Sequence, residues 1–209
     1  LADILLDIQA EPSTPASGKA TIFFDTTSKL LTYKNADAKL SQLGLANAAV
    51  AAQGAGFSSD TYVTNSGILI PSWGMKAKMV FRWTISASKS AAGTAQPVYT
   101  VRIGANQSTG DTARLQLTGA AQTAAADVGV LTLIVTVRTV SATGVIQGTA
   151  LWNHNGAAAG FADNDAGAVE GTSAGFDNSA LGGSFIGLSI DGGASAAWTL
   201  TQVIAELLS

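Results

Sequence analysis

The sequence predicts a mainly-β protein, an antiparallel jelly-roll-like β-sandwich preceded by a small leader made of one short helix and a β-hairpin. Three observations predict it. From residue 57 onward apolar and polar residues alternate over long runs, the text between the runs is rich in Gly, Asn, Asp and Ser, and no helical pattern separates one run from the next. A parallel sheet would need crossover helices, so the strands must pair antiparallel. The 209-residue chain then divides into an attachment or oligomerisation leader, 1–56, and a sandwich domain, 57–209.

In the leader, Leu1, Ile4, Leu5 and Ile8 recur at helix spacing. A helix this short does not hold alone in water, so the stripe faces either its own domain or a neighbouring subunit. Pro12 and Pro15 break regularity in "EPSTPASGK", a connector. "TIFFDTTSKLLTYKN", 21–35, reads as two strands around a polar turn, with Phe23, Leu31 and Tyr33 supplying a sliver of apolar surface. A lone two-stranded hairpin is marginal in water and needs something to lean on. In "AKLSQLGLANAAVAAQGAG", Leu40, Leu43 and Val50 form a weak heptad with Asn47 in register, and Ala supports a helix that ends at Gly54 and Gly56. That helix would lie on its own body or against its counterpart in another subunit.

The body carries the core. Met79, Phe81, Trp83 and Ile85 alternate with Val80, Arg82, Thr84 and Ser86, giving one apolar and one mostly polar face. Tyr99, Val101 and Ile103 repeat the pattern, as do Leu115 with Leu117 and the run Leu131, Leu133, Val135 and Val137. Arginine falls on the outer face each time. Further strands are predicted at 145–152, 184–190 and 197–207, separated by "NHNG", "DNDAG" and "IDGG", for about eight in all, the number of a jelly roll.

Composition narrows the function. Charged residues make up 12% of the chain, against a usual share of about 25%, and Ala, Gly, Ser and Thr take their place. With a formal net charge of −3 and no basic run interleaved with aromatics, nucleic acid is not an expected partner. The lack of cysteine removes disulfides, thiolate metal sites and cysteine nucleophiles together. No apolar run approaches the ~20 residues of a membrane helix, so membrane insertion is not expected.

Chemistry-bearing motifs are few. "GTSAG", 171–175, matches the nucleophile-elbow pattern around Ser173, but the one histidine, His154, precedes the serine, and no helix pattern follows it. We read it as a turn. His154, in "LWNHNG", suits the end of a strand entering a tight turn, and one imidazole builds no metal site. "FADNDAGAVE" gathers Asp163, Asp165 and Glu170 without the spacing of a calcium loop and reads as hydrated. No catalytic set, cofactor or metal is expected. Trp73, in the turn "PSWG", and Trp152, Asn153, His154 and Asp163 are the candidate glycan or partner contacts, because aromatic faces beside amides and carboxylates suit sugars.

The text "PSTPASGKATIFFDTTSKLLTYKNADAKL" resembles a leader that recurs in bacteriophage virion proteins: a P-x-x-P-A-x-G-K turn, an apolar strand, a short D-x-x-S-K turn and a second strand. "GMKAKMVFRWTISASKSAAGTAQPVYTVRIG", "DTARLQL" and "LSIDGGASAAWTLTQVIAELL" resemble the C-terminal β domain of phage tail-fibre, head-fibre and related structural proteins. The resemblance implies a non-enzymatic component of the particle surface. It also implies a homotrimer whose partners are itself, other capsid or tail proteins and, in a receptor-binding role, a host surface glycan. Leu1, Ile4, Leu5, Ile8, Phe23, Leu31 and Tyr33 are then the candidate assembly interface. No long heptad run or triple β-helix repeat is visible, so a short knob is expected rather than a shaft.

Overall fold

The structure, a computed structural model, describes residues 8–9, 12–17, 20–25, 31–35, 40–42, 45–49, 51–90, 93–154, 160–161, 168–194 and 198–208. Among these there is no helix. Near the N-terminus β1 (Ile8–Gln9), β2 (Ala20–Asp25), β3 (Leu31–Asn35) and β4 (Leu40–Gln42) form one sheet in that order. The strands β1 and β2 run parallel and the others antiparallel.

The expected hairpin is therefore the middle of a four-stranded sheet. Its register pairs Phe23 with Thr32, Ile22 with Tyr33 and Phe24 with Leu31. Phe23 is buried while Ile22 is half exposed. Lys34 is nearly buried too, and its ammonium donates to the Pro12 carbonyl at 2.8 Å, fastening the proline-rich connector to the hairpin. Ile8 lies in β1, whereas Leu1, Ile4 and Leu5 of the expected helix lie outside the described residues.

The helix expected over the Ala-rich segment is replaced by strands. Next come β5 (Leu45–Ala49) and β6 (Gln53–Gly56), both antiparallel to the last strand of the chain. Alanine's helix preference is worth only tenths of a kcal/mol per residue, and the free edge of a long strand offers a full ladder of backbone bonds instead. The sandwich by pairing thus reaches back across the expected 56/57 boundary to Leu45.

The remaining strands are β7 (Thr61–Tyr62), β8 (Ile68–Leu69), β9 (Val80–Lys89), β10 (Val98–Gly104), β11 (Thr112–Thr118), β12 (Asp127–Thr139), β13 (Val145–His154), β14 (Val169–Thr172), β15 (Phe185–Asp191) and β16 (Trp198–Leu207). A seven-stranded sheet has the order β14-β13-β12-β9-β16-β5, with β6 also on β16, and a five-stranded sheet has the order β11-β10-β15-β7, with β8 also on β15. The partners nest. β10 pairs β11, β9 pairs β12, β15 pairs β7 and β8, and β16 pairs β5 and β6, which is one long hairpin rolled into two layers, the jelly-roll topology. The hairpin β13–β14 extends the large sheet beyond this frame.

Between the sheets lie the residues that alternation assigned to the core: Met79, Phe81, Trp83, Ile85, Tyr99, Val101, Ile103, Leu115, Leu117, Leu131, Leu133, Val135 and Val137 are all buried. The polar tip of Trp83 is satisfied, its indole N–H donating to the Ser66 carbonyl at 2.7 Å. Along the side where β11 meets β14 the layers close on glycine. A Cβ on Gly171 would lie 2.8 Å from Leu117 Cδ2, and one on Gly148 2.5 Å from Leu115 Cδ2, so these two glycines let the leucines of the small sheet seat.

Candidate functional site

A polar cleft of about 480 Å³ opens where the segment 60–65 faces the β10–β11 loop, with Asp60, Tyr62, Thr64, Asn65, Gln107 and Thr109 among its walls. Its shape is fixed by Arg102. Pointing outward from β10, this guanidinium donates to Ser189 Oγ at 2.8 Å, to the carbonyls of Thr109 and Asp111 at 2.9 and 2.8 Å, and pairs with the Asp60 carboxylate. One side chain therefore clamps both walls. Asp111, buried beneath the loop, accepts from the backbone N–H of Asn106 at 3.1 Å and of Ser108 at 3.3 Å, a turn held by its own carboxylate.

The opposite wall hangs from Gln53, whose amide exchanges bonds with the Thr64 carbonyl at 3.0 Å and the Thr64 N–H at 2.8 Å. Ser66 anchors its base, accepting from Leu188 N–H at 3.0 Å. Burial, partly offset by the Ser66 hydrogen bond, pushes the Tyr62 phenol above its ordinary value, so it stays neutral. Two non-glycine residues with positive φ, Asn65 at 61° and Gln107 at 51°, face each other across this cleft. Backbone held in this region costs of order 1–3 kcal/mol each and persists only where the surroundings enforce it. Hydroxyls, amides and one paired carboxylate make a surface for a neutral, polyhydroxylated ligand.

The residues singled out in the sequence are not gathered at this cleft. Trp73 is 53% exposed in a turn closed by Gly74 N–H on the Pro71 carbonyl at 2.8 Å, with Lys76 Nζ 5.8 Å from its ring. Trp152 turns inward. It stacks on Phe161 at 4.2 Å, meets Trp198 edge-on at 5.5 Å and donates its N–H to Tyr99 Oη at 2.5 Å, so its polar tip is spent in the core. Trp73 and Trp152 also sit at opposite ends of the sandwich. The loop carrying Trp73 ends where Lys78 N–H bonds Val137, whereas Trp152 pairs with Leu131, about 20 Å back along β12.

Asn153 is exposed next to Trp152, and His154 ends β13 opposite Gly129; Asp163 lies outside the described residues. Ser173 of "GTSAG" is buried, and its hydroxyl accepts the Ile146 N–H at 3.0 Å, a bridge between backbone segments. Among the described residues no three acidic or histidine side chains come together as a metal site. The cleft residues escaped sequence reasoning because "TNSG" and "NQSTGD" read only as turns, and what brings them together is Arg102 on a strand between. No protein-family model matches the chain, and no curated protein matches it significantly.

Proposed function

We propose that the protein is a non-enzymatic bacteriophage virion component, a homotrimeric fibre or capsid or tail decoration knob attached to the particle through its N-terminal leader. The observation that carries this reading is the pairing of the leader. Among the described residues β1 to β4 bond to one another and to neither sheet of the sandwich, as a separate docking element would. The likeness of residues 12–35 to phage leaders supports the same role.

A second support is the outward face of the seven-stranded sheet. Val128, Ile134 and Leu151 are exposed there. Their cross-strand neighbours include Thr132, Thr149 and Ser88, and the Arg82–Glu206 pair at 2.6 Å lies beside Ile134. The solvated face of a sandwich normally alternates to polar residues, and exposed Val128, Ile134 and Leu151 among short Thr and Ser side chains suit contact between subunits. Light scattering on the purified chain at micromolar concentration is expected to give a trimer. A stable monomer there overturns the assembly role.

The polar cleft favours a second reading, a carbohydrate-binding module that adheres to a host surface. A broad glycan array is expected to retain neutral glycans on the wild-type protein and to lose them with Thr109→Trp, which fills the mouth of the cleft at an exposed position. An empty array leaves the structural role alone.

A further inference from the structure

The strand ends bring the leader and Trp73 to one end of the sandwich. The chain enters the large sheet at Leu45, which pairs with Glu206 near the end of β16. On one side of the start of β9 the Leu208 N–H bonds the Val80 carbonyl at 2.9 Å, and on the other the Lys78 N–H bonds the Val137 carbonyl at 2.8 Å. From Leu45 through Leu208 and Lys78 to Arg138 is therefore three strand spacings, about 14 Å, and the loop carrying Trp73 leads into β9 among them.

Trp73 is presented on a fixed turn. Behind it the Gly183 N–H bonds the Ile70 carbonyl at 3.0 Å, and the backbone of Gly182 lies so close that a Cβ there would meet the Ser72 carbonyl oxygen at 2.2 Å. A tryptophan exposed on a rigid support has little freedom left to lose on binding, and this residue type anchors interfaces. Leu208 is exposed at the same end, with Lys76, Lys78 and Arg138. Two carboxylates stand there among the described residues, and both are engaged: Glu206 pairs with Arg82, and Asp177 accepts from the Ser179 N–H at 3.0 Å and hydroxyl at 2.6 Å. In a chain of net charge −3, this end is apolar and cationic.

The partner that fits it is apolar and acidic. Among the segments outside the described residues, 1–7 joins both properties, with Leu1, Ile4, Leu5 and Leu6 beside Asp3 and Asp7 and no Lys or Arg; the acidic 162–167 has no large apolar side chain. Its point of departure favours a neighbour over its own sandwich. Segment 1–7 runs into β1, on the edge of the leader sheet opposite β4, and β4 is the leader strand that leads on to Leu45.

We propose that residues 1–7 of one copy dock on the Trp73 end of the next, with Leu1, Ile4 and Leu5 against Trp73 and Leu208, and with Asp3 and Asp7 facing Lys76, Lys78 and Arg138. This rests on the trimer reading and adds the two surfaces that meet. A head-to-tail contact of this kind, repeated about a three-fold axis, closes into a ring and leaves no surface unmatched. The complementary charges fix its register and disfavour cationic partners.

Because the chain has no cysteine, engineered ones report contact without background. The variant carrying both Ile4→Cys and Lys76→Cys, oxidised and run on a denaturing gel, is expected to migrate as a covalent trimer that returns to monomer on reduction. Each single variant should stay monomeric on the same gel. By light scattering, Asp3→Lys with Asp7→Lys, and separately Lys76→Asp with Lys78→Asp, are each expected to dissociate the trimer at about tenfold higher concentration, and all four together to restore it. If wild type is a trimer and the double-cysteine variant gives no linked band, or a link within one chain, this contact is overturned and the trimer stands. Reversals that weaken assembly without recovery in the fourfold variant also overturn it. A wild-type monomer overturns the trimer itself.

Discussion

Trp198→Ala is expected to cost about 3–5 kcal/mol of folding stability, the usual range for emptying a buried tryptophan site. Trp198 is 1% exposed and stands edge-on to Phe161 at 5.1 Å and to Trp152 at 5.5 Å. Its indole N–H donates to Gln122 Oε1 at 2.7 Å. The Gln122 amide in turn donates to the carbonyls of Ala95 at 2.9 Å and Gly192 at 2.6 Å, so one side chain ties three loops at this end of the sandwich. Truncation therefore opens a cavity and also leaves a buried amide oxygen without its donor. Urea unfolding followed by fluorescence and circular dichroism measures the loss. Trp198→Phe keeps most of the packing and should lose less, and a cost below about 1 kcal/mol for the alanine variant would show that the aromatic cluster is not a main support.

Arg102→Met is the second large effect, expected at about 3 kcal/mol, because the methionine keeps the stem and removes every bond of the guanidinium. The loop carbonyls of Thr109 and Asp111 and the Ser189 hydroxyl lose their common donor, and Asp60 loses its cation. The two walls of the cleft are then unfastened. Hydrogen exchange should accelerate at residues 105–111 and 60–65 more than in β9 or β12. Arg102→Lys restores the charge without the fork and should recover only part of the stability. Uniform exchange across both sheets would mean that Arg102 supports the core and not the cleft.

These two residues also mark how far the sequence was legible. Trp198 stands at the start of the strand predicted over 197–207, and the structure buries it. Arg102 was equally visible as an outward residue between Val101 and Ile103. Nothing near it in the chain says that its partners come from residues 60, 109, 111 and 189. Trp152 shows the limit from the other side. Its position beside "NHNG" suggested an open loop, yet the stacking with Phe161 and the bond to Tyr99 draw it into the core. In the same place burial pushes the Tyr99 phenol well above its ordinary value, with the Trp152 hydrogen bond opposing. Lys89, at the end of β9, is pushed the other way by burial, while Asp127 opposes, and its ammonium donates to the Thr123 carbonyl at 2.6 Å.

By itself the sequence determined the mainly-β character, the inward faces of β9, β10, β11 and β12 and the antiparallel pairing, because a side-chain period of two is a local property that survives whatever the partners are. Only the tertiary structure decided the rest. The Ala-rich segment became strands because β16 had an edge to fill, and the hairpin became four strands. Each of these depends on pairing between segments far apart in the chain, where the energy lies in backbone bonds that every residue makes alike and that leave no mark on residue type.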